Sequence, residues 1–301
     1  GVLEVAHVIE NTRTQEQRDK LWDWYRFTLL PVVAPNGRLC IIGTRYHFDD
    51  LYGRLLDPMH NSRGIPALIG KAIGDNGAAL WPGRYPLAHL QNLRADLGSV
   101  IFNAQYQNDA AAMKGSIFKA EWMKRYKELP AGLRLWQYCD LAISQKQTAD
   151  YFAEVTIAQD KTGAVFVLDA FHARLSFDEQ FRRIKLHHDY HHRPTTPVLR
   201  VGIEANQYQA ALAQQLKTRT RVPVRPVHQH KDKMTRALRL QALFENSKIF
   251  FPMAGTEELE NELLTFPEGA HDDLVDALAG AADLAGAVRR RPKALRMPRG
   301  L

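Results

Sequence analysis

The order of strand and helix patterns in the second half of the chain is the feature that most constrains its fold. Three apolar or alternating runs follow one another at residues 133–143, 151–159 and 164–171, with a tight turn at 161–163 between the last two. Such closely spaced runs predict an antiparallel meander. Further patterns follow: helices at 177–192, 207–218 and 233–246, strands at 198–203 and 222–227, an extended piece at 249–251, and helices at 257–266 and 272–288.

Three antiparallel strands followed by helix-linked strands predict an α/β fold with a mixed sheet and helices on its faces. The order β-β-β-α-β-α-β-α is that of ribonuclease H. We therefore predict a ribonuclease-H-like mixed five-stranded sheet with flanking helices over residues 126–288. The arginine-rich segment 289–301 is predicted to be a flexible basic tail.

Four acidic residues occupy informative places in this pattern. Asp140 lies inside an apolar strand, where a carboxylate is costly to bury unless it is paired or bound to a cation. Glu204 ends the fourth strand, and Asp272 and Asp273 open the last helix, with Asp276 three residues beyond on a similar face. Taken singly, Glu204 is also explained as a loop acid, and Asp272 and Asp273 as helix caps.

Phosphodiester hydrolysis explains why carboxylates would gather in this way. Two divalent cations about 4 Å apart can bind one scissile phosphate, and hard cations such as Mg²⁺ prefer a few carboxylates as ligands. We therefore expect Asp140, Glu204 and at least one of Asp272 and Asp273 to bind metal and act in catalysis. The expected cofactors are two ions of Mg²⁺ or Mn²⁺.

The net charge and the cysteines bear on partners and compartment. A formal charge of +7 suits a polyanion such as nucleic acid. The two cysteines, Cys40 and Cys139, lie in apolar runs and are expected to be buried thiols of a reducing cytoplasm. No apolar run approaches the roughly 20 residues of a membrane span, so no membrane partner is expected.

A histidine-rich segment ends the helix at 177–192. His187 and His191 have the i, i+4 spacing that binds zinc, with His188 and His192 beside them. No cysteine or glutamate completes such a site nearby in sequence, so a solvated helix face is the favoured interpretation.

Several short motifs, in their order and spacing, resemble the large terminase subunit of tailed bacteriophages, the DNA-packaging motor. Residues 38–54 and 103–107 resemble the end of its packaging ATPase, and residues 138–142 with Asp150 and Tyr151 resemble the opening of its nuclease. Its later motifs are matched by residues 204–206, by Lys231, Lys233 and Arg236, and by residues 271–277.

The resemblance implies an endonuclease that cuts double-stranded concatemer DNA in the host cytoplasm by two-metal in-line hydrolysis. Its nuclease acids correspond to Asp140, Glu204 and one or both of Asp272 and Asp273, and Asp150 is a candidate accessory acid. It implies portal and small-terminase partners for the full-length protein. Candidate DNA contacts are Lys231, Lys233, Arg236 and His271; a solvated helix start equally explains the first three.

The phosphate-binding run G-x-x-x-x-G-K-[ST] of that family's ATPase does not occur here. Residues 1–125 are therefore predicted to be the C-terminal remnant of a P-loop ATPase domain with its linker. Thr44 and Arg45 would be what remains of the nucleotide-coupling loop, although a structural turn is the favoured interpretation. ATP is expected only in the full-length protein, and no ATPase activity is expected of these 301 residues.

Two other functions remain open at this point. Another ribonuclease-H-like DNA enzyme, an integrase or a junction resolvase, would use similar acids, although the ATPase-like segment argues against it. A non-catalytic DNA-binding module would bind DNA without a metal, and its helix acids would be caps only.

Overall fold

The computed structural model describes residues 12, 14–60, 65–142, 150–204, 207–228 and 233–287. The chain divides into two compact units, Gly1–Ile117 and Phe118–Leu301. The domain border expected between residues 125 and 126 falls inside the second unit, and the expected basic tail lies outside the described residues. No described helix has both the length and the apolar character needed to cross a membrane.

The first unit is helical in its described part. Its α-helices are α1 (Gln15–Trp24), α2 (Leu30–Val32), α3 (Leu51–Leu56), α4 (Leu87–Leu97) and α5 (Ser99–Tyr106), and a π-helical stretch, Tyr25–Leu29, joins the first two. A small apolar cluster of Tyr25, Leu29, Leu51 and Leu55 packs α1 and its π-helical extension against α3.

One expectation for this unit is wrong. The apolar run around Cys40 was expected to bury that thiol, but residues 38–43 form no strand and are exposed or half-buried. Cys40 is consequently exposed, whereas Cys139 is buried as expected. An apolar run is buried only where other elements of the fold pack against it, so its local sequence does not determine its exposure.

The second unit carries the mixed sheet. Its strands are β1 (Lys124–Arg125), β2 (Arg134–Ala142), β3 (Asp150–Gln159), β4 (Val165–Leu175), β5 (Val198–Glu204), β6 (Val224–Val227) and β7 (Ile249–Phe251). Its helices are α6 (Phe177–His191), α7 (Gln207–Arg219), α8 (Lys233–Glu245), α9 (Glu257–Thr265) and α10 (Asp273–Ala285).

The sheet has seven strands in the order β1-β7-β4-β3-β2-β5-β6. The strands β2, β3 and β4 form the predicted antiparallel meander, and β5 and β6 are added parallel to β2. The prediction of five strands did not include β1, and it gave β7 only as an extended piece at 249–251. These two strands are two and three residues long and pair with each other and, through β7, with β4. Segments this short carry no periodicity that a sequence pattern reveals.

The side chains of β2 alternate between two helical layers, as strand geometry requires. Cys139 and Leu141 join Ile184 of α6 and Leu212 of α7 in one apolar cluster. Tyr138 points to the opposite face, where α10 packs.

Two glycines allow α10 to approach that face closely. A Cβ atom at Gly280 of α10 would lie 2.5 Å from ring carbons of Tyr138, and one at Gly202 of β5 would lie 2.6 Å from the same ring. Both distances are shorter than carbon atoms tolerate, so the Tyr138 ring occupies the space that these glycines leave. Asp140, two residues beyond Tyr138 on β2, therefore also faces the α10 layer.

Candidate metal centre

Asp140 and Glu204 are brought together by the pairing of β2 with β5. The parallel register matches Tyr138 with Gly202 and Cys139 with Ile203, so that the next residues on the two strands are Asp140 and Glu204. Burial raises the pKa of the Asp140 carboxyl to about 7, and the negative charges of Glu204 and Asp276 act in the same direction. An ionised Asp140 is therefore unfavourable here unless a cation joins it.

The N-terminus of α10 is capped by a residue from another helix. Asp272 occupies the N-cap position, but its side chain makes no capping hydrogen bond. The carboxylate of the buried Glu262 on α9 instead accepts hydrogen bonds from the backbone N–H groups of Leu274 (2.8 Å) and Val275 (3.3 Å). Capping therefore does not account for the side chain of Asp272, and the sequence analysis did not anticipate the part that Glu262 plays.

Asp272 and Asp273 have different surroundings. The carboxylate of Asp272 lies 2.8 Å from the Nζ atom of Lys233 on α8. The carboxylate of Asp273 lies 3.5 Å from the Nε2 atom of His172 on β4, and its charge helps to raise the pKa of Asp140. Asp273 thus faces the strand acid, whereas Asp272 is held by a lysine.

Asp276 is the most buried acid of the α10 N-terminus. Its carboxylate oxygens lie 3.0 Å from Nη2 of Arg236 and 3.2 Å from Nζ of Lys233. Burial raises the pKa of Asp276, and the positive charge of Arg236 opposes that shift. Asp276 was noted from its helical spacing but was not among the predicted site residues; its burial follows from the packing of α10 on α8.

A group of rings lies beside Asp273. The ring of Tyr151 stacks on His172 at 5.1 Å between centroids, and the exposed His271 lies 5.5 Å from Tyr151 and 5.6 Å from His172. His271, predicted as a DNA contact, is therefore at the border of the acidic cluster. His172 is an addition that sequence reasoning missed, because its place on β4 becomes informative only once the strands are paired.

The remaining predicted residues lie elsewhere. Lys231 and the side chain of Asp150 are outside the described residues. Arg45 belongs to the first unit, where its guanidinium donates to Asp50 (2.8 Å) and to the carbonyl of Phe48 (2.9 Å) and ties the loop after Thr44 to the start of α3. These contacts are those of a structural turn.

The prediction that α6 presents a solvated histidine face is wrong. His188 is buried, and the side chain of His187 is only 12% exposed. Asp169, from β4, lies 3.0 Å from Nε2 of His187. The neighbouring acid comes from a strand that is distant in sequence, so the residues around the helix do not reveal it.

The oxygen-rich cluster on the α10 face fits divalent cations. Asp140, Glu204 and Asp273 offer carboxylate oxygens, which are the ligands that Mg²⁺ and Mn²⁺ prefer. The pKa of Asp140 is raised chiefly by burial and also by neighbouring acids, although the positive charge of Arg236 opposes the shift. Bound cations would favour the ionised form of Asp140.

This combination of a mixed sheet and a carboxylate cluster over its central strand defines a ribonuclease-H-like domain. Residues 137–283 match the family model of the terminase RNaseH-like domain. This segment is therefore similar to that family, and the expected resemblance to large terminase subunits is confirmed. The match favours a terminase over an integrase or a junction resolvase.

A solved structure with a TM-score above 0.5 shows the same fold. The large terminase of a thermophilic bacteriophage, in complex with ADP, is 9% identical, with a TM-score of 0.55, and the match covers 88% of this chain and 66% of that one. The chain thus spans slightly less than two thirds of that terminase. The human cytomegalovirus terminase nuclease domain is 16% identical over 54% of this chain and 89% of that one, with a TM-score of 0.41.

A third structure is the large terminase nuclease of the thermophilic phage G20c with bound magnesium, at 16% identity and a TM-score of 0.38, covering 56% of this chain and 97% of that one. Among curated proteins, no sequence matches this chain.

Proposed function

We propose that the second unit is a metal-dependent endonuclease that cuts double-stranded DNA during viral genome packaging. The observation that carries the proposal is the position of Asp140. It is a half-buried carboxylate on an interior strand, its pKa is raised by desolvation and by other acids, and Glu204 and Asp273 lie on the elements beside it. A protein gains nothing in stability from such an arrangement without cations, whereas phosphodiester hydrolysis needs it.

Asp140, Glu204 and Asp273 are the proposed ligands for two ions of Mg²⁺ or Mn²⁺. When bound, such a pair of ions activates the attacking water and stabilises the leaving oxygen of an in-line displacement. The charges of Glu204 and Asp273 both act on Asp140, so Asp140 would hold a metal ion together with these two acids. Asp272 would remain with Lys233, and its contribution would be to position that lysine.

The cationic residues of α8 would orient the substrate. Lys233 is half exposed and holds Asp272 and Asp276, so its ammonium group can exchange an acid for a DNA phosphate. Arg236 is buried, and its Nε and Nη1 groups have no hydrogen-bond partner among the described residues. Its proposed part is to fix Asp276 and to limit the negative charge beside Asp140; Lys231 and His271 remain proposed DNA contacts.

The packaging role rests on the terminase family of residues 137–283. The full-length protein would act with ATP, a portal and a small terminase subunit in the host cytoplasm, and residues 1–125 would be what this chain retains of the ATPase.

Cleavage of supercoiled plasmid with Mn²⁺ tests the proposal. Asp140→Asn should lower the cleavage rate at least about 100-fold, because metal stabilisation of the transition state is worth several kcal/mol and each 1.36 kcal/mol is tenfold in rate. The matched control is Asp283→Asn, which removes an acid at the other end of α10 and should cleave as the wild type does.

A melting experiment separates catalysis from simple DNA binding. Mn²⁺ should raise the Tm of the wild type and of Asp283→Asn, but not that of Asp140→Asn. Full cleavage by Asp140→Asn would show that the site is wrongly assigned. Metal-independent DNA binding without cleavage by the wild type would favour the non-catalytic module.

A further inference from the structure

The opposite face of the sheet carries a second cluster of ligand-type side chains. We propose that Asp169, His187 and His191 form a separate site for Zn²⁺ or a similar borderline transition-metal ion, which would link α6 to β4. This site lies on the α6 face of the sheet, whereas the carboxylate cluster lies on the α10 face, so the proposal does not depend on the nuclease assignment.

The backbone places the three residues together. His187 and His191 are four residues apart on α6, so their side chains lie on the same face of the helix. Asp169 belongs to β4, which runs beneath that helix. One ligand atom from each of the three residues lies within 4.8 Å of the others, and Nε2 of His187 is 3.0 Å from a carboxylate oxygen of Asp169. Small side-chain adjustments suffice to bring three such atoms around one ion.

His191 supplies an independent indication. Its Nε2 atom is buried and has no hydrogen-bond partner among the described residues. A buried polar atom without a partner costs roughly 1–3 kcal/mol, so native proteins rarely leave one unexplained. A bound ion at this position would satisfy it.

His187 is oriented as a metal-binding histidine usually is. Its Nε2 atom faces Asp169, and its Nδ1 atom lies 3.4 Å from the carboxylate of the fully buried Glu154. This Nδ1 atom makes no hydrogen bond among the described residues. A small rotation of the ring would let it donate to the Glu154 carboxylate, the contact that fixes a ligating histidine and raises its basicity.

Arg183 is a nearby cation that would compete with an ion, and its contacts show that it is engaged elsewhere. Its Nε atom lies 3.0 Å from the Glu154 carboxylate, and its guanidinium stacks on the ring of Phe171 at 3.8 Å. Its contact with Asp169 is longer, at 3.5 Å. Asp169 is also 31% exposed, so an ion can reach it from solvent.

The donor set favours zinc over magnesium. Two imidazole nitrogens and one carboxylate suit Zn²⁺, Co²⁺ or Ni²⁺, whereas Mg²⁺ prefers oxygen ligands alone. With three protein ligands, the fourth position would be open to water. The two faces of the sheet would thus select different metals.

Zinc stoichiometry, measured on the full chain by dialysis and elemental analysis, tests the proposal. The background is Asp140→Asn with Glu204→Gln in excess Mg²⁺, which suppresses zinc binding on the α10 face. We expect about one zinc per chain, lost on adding His191→Ala or Asp169→Asn. The matched control is His188→Gln, one residue from His187 but paired with Asp189, which should retain the zinc.

A second measurement needs no histidine variant. Co²⁺ added to the background protein should give visible absorption bands of a low-coordinate site, and stoichiometric Zn²⁺ should remove them. An absence of bands, or zinc retained by a folded His191→Ala protein, would overturn the proposal. Circular dichroism establishes that each variant is folded.

Discussion

The two faces of the central sheet carry carboxylates whose pKa is raised to a similar value and whose neighbours differ; Glu154 is fully buried and Asp140 is half-buried. Asp140 faces α10 and Glu154 faces α6, and burial raises the pKa of each to about 7. Glu154 has a cation of its own: Arg183 donates to it at 3.0 Å, and the side chain of Gln137 donates to its other oxygen. Asp140 has mainly acids around it.

The fold therefore supplies a cationic partner for the carboxylate of Glu154 but not a sufficient one for the carboxylate of Asp140. The charge of Glu154 is balanced within the fold, so its removal or isolation should change stability. The charge of Asp140 needs an external cation, so its removal should change activity. The same raised pKa therefore has two meanings, and only the neighbouring groups distinguish them.

The largest expected effect concerns the two acids that begin α10. Asp273→Asn should lower Mn²⁺-dependent cleavage at least about 100-fold, because a ligand facing Asp140 is lost. Asp272→Asn should lower it less than about tenfold, because Asp272 holds Lys233 and is not a proposed ligand. Initial rates on plasmid, at saturating Mn²⁺, measure both. Equal losses would mean that the two aspartates share the metal, and the distinction drawn from their neighbours would fail.

The second prediction concerns the α6 face of the sheet, where Glu154 has a cationic partner. Arg183→Leu leaves Glu154 buried without its cation and should lower the free energy of unfolding by about 3 kcal/mol, the lower end for a broken buried pair, since Arg183 is partly exposed. Arg183 lowers the pKa of Glu154, so its loss moves that pKa further above the ordinary 4.5. A raised acid pKa in the folded state means that stability falls as pH rises from 4.5 towards that value. The loss should therefore be larger at pH 8 than at pH 5.

Urea unfolding of the double variant Arg183→Leu with Glu154→Gln provides the control. Removing both charges should recover most of the stability, while plasmid cleavage per folded molecule stays unchanged throughout. A double variant as unstable as Arg183→Leu would show that packing on Phe171, not charge, explains the loss.

The sequence predicts the difference between Asp140 and Glu154 only in part. The meander, the helix-linked strands and the place of Asp140 follow from periodicity and from the cost of a charge in an apolar run. Glu154 also lies in an apolar strand, yet nothing local distinguishes it from a strand acid on an exposed face. Its partner Arg183 lies on α6, and only the packing of that helix on the sheet brings the two together.

The same dependence on packing explains why the sequence did not reveal the roles of other residues and strands. Glu262 and His172 are ordinary residues in sequence, and they become informative once α9 meets α10 and β4 pairs with β3. The short strand β1 depends on β7 for its pairing, and β7 pairs with both β1 and β4. Local propensity predicts elements, whereas the chemistry of a site depends on contacts between elements far apart in the chain.

A smaller effect tests how closely α10 must approach the sheet. Gly280→Ala places a Cβ atom where the Tyr138 ring lies and should lower the free energy of unfolding by about 1–3 kcal/mol, the cost of overpacking. It should also lower cleavage, because Asp273 moves with the helix. Adding Tyr138→Val, which removes the ring, should restore part of the loss caused by Gly280→Ala. Independent, additive losses measured by urea unfolding would contradict the close approach.

The smallest effect concerns Glu262, which caps the N-terminus of α10 in place of Asp272. Glu262→Ala should lower the free energy of unfolding by about 1 kcal/mol, because the N–H groups of Leu274 and Val275 lose their acceptor. Asp272→Ala should not show this cost, since its side chain makes no capping bond. If Asp272→Ala lowers the free energy of unfolding as much as Glu262→Ala does, Asp272 caps the helix. Capping would then explain why an aspartate stands at this position.

Glu262→Gln adds a pH test of the same cap, because the amide oxygen still accepts but does not ionise. Burial raises the pKa of Glu262 to about 7, above its ordinary 4.5, so the wild type loses this group's contribution as pH rises from 4.5 to 7. Urea unfolding at pH 5 and pH 8 should show a smaller decline for Glu262→Gln than for the wild type. Identical declines would mean that Glu262 is ionised throughout, its carboxylate held by the helix N-terminus more strongly than burial opposes it.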